Sequence, residues 1–160
     1  MTERKIPLRS QLDPQYTWAT TDLYPTDKDW EAQIPQIQAM VEKLKACKGT
    51  LGKCSQNLLA FLKLEDAFEL LADPFACYAM YKKDQDTRDP NAQKMSGVMM
   101  NLLVQADEAV AFAGPEILEI SDQDMDRFYQ EEPELEHYRL ALTRLRREKE
   151  HTLSQSEEAL

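Results

Sequence analysis

The sequence predicts an all-α protein: an up-and-down helical bundle with a long helical hairpin and an irregular N-terminal leader. Three observations carry this. Apolar residues recur at steps of three and four over long runs. No segment alternates with period two, so no strand is expected. Only 4 glycines occur among 160 residues, few for a sheet-rich fold with tight turns.

Residues 1–25 form the leader, with Pro7, Pro14 and Pro25 breaking regular structure. Trp18 and Tyr24 lie there too, and aromatics in a leader imply that it packs onto something. The first helix starts near Thr26, a good N-cap, with Asp27 and Asp29 complementing the dipole. Trp30, Ile34, Ile37, Val41 and Leu44 form its apolar stripe, and Pro35 should kink it or shift its start. Gly49 and Gly52 supply the stop.

The next stripe is the clearest. Phe61, Leu64, Phe68, Leu71, Phe75 and Tyr78 keep phase across Asp73-Pro74, which predicts one long kinked helix or two collinear ones from Ser55 to Lys83. Phe68 and Leu71, mid-stripe, are expected in the core. A polar loop, Asp84 to Asp89, follows, and Asp89 caps a helix that opens on Pro90. That third helix carries Met95, Met99, Leu102, Ala106, Ala109 and Ala113, and should end at Gly114-Pro115. Val98, Leu103 and Val110 fall off its main stripe, so a second apolar face is expected. A short helix from Asp122 to Gln130 buries Met125, Phe128 and Tyr129. A last long helix opens at Pro133, with Leu135, Tyr138, Leu142 and Leu145 inward. Ser154-Gln-Ser-Glu157 reads as a capping box for a further helix.

Composition narrows the function classes. Acidic residues number 29 against 19 basic ones, for a net charge of -10. A field of that sign opposes nucleic-acid backbones and anionic membranes. The longest uncharged stretch, Met95–Ala106, is too short to span a bilayer. No secretory leader is visible, so Cys47, Cys54 and Cys77 are expected as reduced thiols in a cytoplasmic protein.

Candidate chemistry is sparse. His137 and His151 each close an E-x-x-H, with Glu134 and Glu148, a spacing used by di-iron helical bundles. On one helix the two motifs are about 21 Å apart at 1.5 Å per residue, too far to share a metal pair. They are expected as charged pairs on a solvated face. H-E-x-x-H, a glycine-rich phosphate loop and G-x-S-x-G are all absent. Cys47 and Cys54 have no further ligands nearby. The residues therefore name no catalytic, cofactor-binding or metal-binding side chain.

Four stretches nevertheless have a familiar order. They are Pro7-Leu-Arg-Ser with Tyr16-Thr-Trp18, Thr21-Asp22-Leu23-Tyr24 and Trp30; Tyr78-Ala-Met-Tyr81 with Asp84, Asp86-Thr87 and Asn91; Phe112 to Leu118; and Tyr138, Leu142, Arg147, His151-Thr-Leu-Ser154 and Glu157-Glu158. The set resembles the N-terminal region of oligoendopeptidase F, a bacterial zinc metallopeptidase family related to thimet oligopeptidase. Ala19-Thr20 departs from the more acidic, apolar pair of the family pattern. The resemblance implies a parent enzyme that hydrolyses short peptides with a zinc-bound water and a glutamate base. It implies that zinc and catalysis reside in a catalytic domain of the same polypeptide, beyond this chain. This region would wall the substrate channel, with residues 26–153 as the helical domain and 154–160 leading onward. Trp18, Asp22, Tyr24, Trp30, Tyr78 and Met99 are the structural or interdomain candidates, and the isolated chain is expected to self-associate. The competing expectation is a free-standing helical interaction module without activity.

Overall fold

The computed structural model describes residues 7, 11–147 and 149. Among them the chain is all-α, with no strand. Two compact units form, one drawn from Met1–Ala39 and Glu69–Gln105, the other from Met40–Phe68 and Ala106–Leu160.

In the first unit the leader makes two 3-10 turns, Pro14–Tyr16 and Thr20–Asp22. Thr26 then caps α1 (Asp27–Glu31): its hydroxyl accepts from the Asp29 N–H at 3.2 Å and donates to the Asp29 carboxylate at 2.7 Å. This reciprocal pairing fixes where the helix begins. A turn at Ala32 and Gln33 separates α1 from α2 (Ile34–Ala46). Pro35 thereby sits in the first turn of α2, where its missing N–H costs nothing. Its effect is to shift the start while the stripe keeps phase, and Trp30, Ile37, Val41 and Leu44 are all buried.

α3 (Ser55–Gln85) is one continuous helix of 31 residues, with Pro74 inside it. It outlasts its expected end by two residues. The hairpin turn is fastened by Asp86, which accepts from the Arg88 backbone and side chain at 2.9 Å. Those Arg88 hydrogen bonds pull the Asp86 pKa down to about 2. Asp89 then accepts from the Asn91 N–H at 2.8 Å and starts α4 (Pro90–Val110). The α4 stripe of Met95, Met99, Leu102, Ala106 and Ala109 is buried throughout.

The second unit centres on Leu44, Leu51, Leu58, Phe61, Ile117, Phe128, Leu135 and Leu142. Gly49 turns the chain at φ +76°, a region that favours glycine. Glu116 holds that turn, accepting from the backbone N–H groups of Gly49 and Leu51. Three expectations need correction here. Gly114-Pro115 does not end α4: it opens α5 (Ala113–Glu119), which buries Ile117 and Leu118. A proline in a first turn starts a helix as readily as proline elsewhere stops one. The last helix is not α-helical from Pro133. Pro133–Tyr138 is a 3-10 segment, and α7 covers only Arg139–Arg147. The tighter winding eclipses positions three apart, so Leu135 and Tyr138 share one inward face. Finally, Phe68 and Leu71 are half-buried and not fully in the core. Phe68 covers a small cluster of Val41, Ala106 and Ala109. Between α5 and α7, α6 (Asp122–Glu131) is capped by Ser121, whose hydroxyl accepts from the Asp124 N–H at 3.0 Å. Glu148, His151 and the Ser154 capping box lie outside the described residues.

Candidate functional site

All six candidate residues fall in the first unit. Their geometry starts from the Thr26 cap, which places Asp27 at the first position of α1. From there the carboxylate reaches α3 and α4. It accepts from the Tyr78 hydroxyl at 2.8 Å and the Asn91 amide at 3.0 Å, and pairs with Lys82 Nζ at 3.1 Å. Burial opposes the charged form of Asp27, but the Tyr78, Lys82 and Asn91 contacts outweigh it and hold the pKa below the ordinary value. Burial, and then the hydrogen bond to Asp27, push the Tyr78 phenol well above its usual range. At neutral pH the pair is therefore an ionised acceptor and a protonated donor. It can lock three helices together, but it offers no proton acceptor poised near neutrality.

The aromatic candidates extend this junction. Trp30 is 1% exposed, stacks on Phe75 with ring centroids 4.4 Å apart, and donates its Nε1–H to the Phe75 carbonyl at 2.8 Å. Tyr24 meets Tyr78 edge-on at 5.4 Å. Met99 is buried one turn beyond Met95, whose sulfur lies 3.6 Å from the Asn91 amide. Trp18 and Asp22 behave differently. Trp18 is 54% exposed, with its ring 4.8 Å from that of Tyr81, and Asp22 is exposed at the end of its 3-10 turn. The structure thus brings Tyr24, Trp30 and Tyr78 into one junction, leaves Met99 deeper in the core, and leaves Trp18 and Asp22 at the surface. Asp27, Lys82 and Asn91 complete the junction but were not among the six candidates, although Asp27 was read as a dipole partner and Asn91 as part of the family-like pattern. The available signal was the Tyr78 to Lys82 spacing of four, which puts both on one helical face.

Metal chemistry has no holder among the described residues, where no group of three or more His, Cys, Asp and Glu side chains converges. Glu134 pairs with Lys63 at 2.6 Å, and the His137 ring lies against Tyr138. The zinc implied by the resemblance does not fit these side chains. Cys47, Cys54 and Cys77 are free thiols, and burial, followed by the charges of Glu116 and Glu65, pushes Cys47 up. No described helix is long and apolar enough to cross a membrane.

Comparison with known proteins supplies what the geometry does not. A family profile described as Oligopeptidase F matches residues 116–160. Oligopeptidase PepF of Bacillus subtilis is 31% identical over 156 residues, covering 98% of this chain and 23% of that protein. Relatives named oligoendopeptidase F are thus similar to nearly the whole of this chain. It corresponds to the N-terminal domain of these peptidases. Oligoendopeptidase F from Enterococcus faecium, known from a crystal structure, is 26% identical with a TM-score of 0.71, over 83% of this chain and 26% of that one. A protein from Chlamydophila abortus shares the fold at a TM-score of 0.84, with 24% identity over 97% of this chain and 26% of its own. The chain spans about a quarter of the length of the oligoendopeptidase F relatives that it matches.

Proposed function

We propose that this chain is the non-catalytic N-terminal helical part of a cytoplasmic zinc metallo-oligoendopeptidase and helps wall the channel that admits short peptides. The observation that carries this is the match itself, which runs through 98% of this chain while covering 23% of the relative. The candidate junction agrees, because its polar groups are satisfied by one another and none is left for chemistry. Zinc, its ligands and the general base then belong to the remaining three quarters of the parent polypeptide. The exposed Trp18 is the side chain of the set best placed to meet that catalytic part or a peptide.

A quenched fluorogenic oligopeptide tests the reading. The isolated chain should leave it intact and carry no stoichiometric zinc by elemental analysis. A parent polypeptide containing this segment should cut it in a chelator-sensitive way. Replacing Trp18 by alanine in that parent should alter KM more than kcat, as expected for a contact that positions substrate. Chelator-sensitive cleavage by the isolated chain would overturn the assignment.

A further inference from the structure

Four of the 19 basic side chains of this acidic chain lie on one short helix. α7 carries Arg139, Arg144, Arg146 and Arg147 and no acid. Its positions 139, 143, 146 and 147 form one helical face, and positions 122, 125, 126 and 129 form a face of α6. Between them lies a cleft of about 580 Å³, inside the size range of small-molecule sites. Two of its three arginines are already engaged. Arg146 donates to the carbonyls of Ile117 and Ile120 at 3.0 and 2.7 Å and pairs with Asp122. Arg139 holds Glu136 at 2.7 Å, with its guanidinium 3.8 Å over the Tyr129 ring. Among the described residues, no hydrogen bond or ion pair holds the guanidinium of Arg147, the hydroxyl of Thr143 or the carboxylate of Asp126, although the charge of Asp126 acts at longer range on Arg139 and Tyr129.

The cleft therefore presents one cation, Arg147, and one anion, Asp126, that make no direct ion pair with each other or with a neighbour. A dianion such as phosphate would meet Arg147 but be repelled by Asp122 and Asp126. A simple cation would be repelled by three arginines. A ligand with both charges satisfies both walls. We propose that this cleft binds a small zwitterion of amino-acid or dipeptide size, its carboxylate on Arg147 and Thr143 and its ammonium on Asp126. Burial raises the Tyr129 pKa, so its hydroxyl stays protonated and can donate to the same carboxylate. The site needs no catalytic domain, so it stands or falls apart from the peptidase reading.

Two-dimensional NMR titration of the 160-residue chain tests it, with the dipeptide Ala-Ala as probe. Saturable shifts confined to α6 and α7, at a Kd of about 1 mM, are expected for exposed charged contacts. N-acetyl-Ala-Ala and Ala-Ala amide, each lacking one charge, should bind about tenfold more weakly. R147Q and D126N should lose a similar factor while keeping the wild-type circular dichroism melt, since both side chains are exposed. Phosphate or the acetylated dipeptide binding as tightly as Ala-Ala would reduce the site to an anion patch. No saturation by about 30 mM, or undiminished binding by folded variants, would also overturn the proposal.

Discussion

Single residues decide how the first unit is held. Asp27 serves three donors from two other helices, so replacing it by asparagine leaves Lys82 without its counter-ion and weakens the bond to Tyr78. The side chain is about a third exposed, and water screens part of the loss. The expected cost of D27N is about 1–2 kcal/mol at neutral pH. Its pH dependence has a definite sign. The folded pKa lies below the unfolded one, so the contribution is fully present above the unfolded value and vanishes as pH falls through the folded value. Urea melts from pH 7 to pH 2.5 should therefore show wild type converging on D27N in acid; a constant gap would show that Asp27 acts through packing alone. Trp30 divides into two contributions. W30A should cost about 3–5 kcal/mol as a buried large-to-small change. W30F keeps a ring on Phe75 and removes the bond to its carbonyl, for about 1–2 kcal/mol. Equal losses in both variants would mean that the hydrogen bond carries the site.

At the scale of elements, two glycines separate conformational freedom from packing. Gly97 lies inside α4 and is exposed, and a Cβ built there meets nothing within 4 Å. G97A should raise stability by about 0.5–1 kcal/mol, because alanine loses less freedom on entering a helix. Gly49 also has open space around it but sits at φ +76°, so G49A should lower stability by about 1–2 kcal/mol. Paired denaturant melts check both signs, and a destabilising G97A would reveal a partner on that face of α4. The elements also show what sequence could reveal. Stripes and caps were legible because they are local: Thr26 and Asp89 each lie within three residues of the group they bind. α5 was not, because Gly114-Pro115 reads equally as an end or a beginning, and only the burial of Ile117 and Leu118 decides. The 3-10 winding of Pro133–Tyr138 was hidden because steps of three fit both helix types. The Asp27 junction depends on three helices meeting, and the α6–α7 cleft on charged positions of two helices, neither of which leaves an apolar period to read.

The molecule as a whole is governed by its charge of -10. Self-repulsion of that size opposes the compact state, whereas the ion pairs favour it, and salt weakens both. Magnitudes settle which weakens more. Most of the described pairs, such as Lys63–Glu134 and Arg88–Asp86, are close to half exposed or more, and pairs of that kind contribute about 0–1 kcal/mol each. The better-sheltered Lys82–Asp27 bridge is less sensitive to added ions. Net repulsion acts among all charges, over a screening length of about 30 Å at 0.01 M salt but about 10 Å at 0.1 M. Repulsion should therefore lose more than attraction does. Raising sodium chloride from 10 to 150 mM should increase the Tm of the isolated chain by about 1–4 °C, equivalent to about 0.5–1 kcal/mol for a domain of this size. Calorimetry at fixed pH and protein concentration measures it, with sedimentation at both salt levels to separate intrinsic stabilisation from association. A Tm that falls with salt would place the exposed pairs above the net charge in holding this fold.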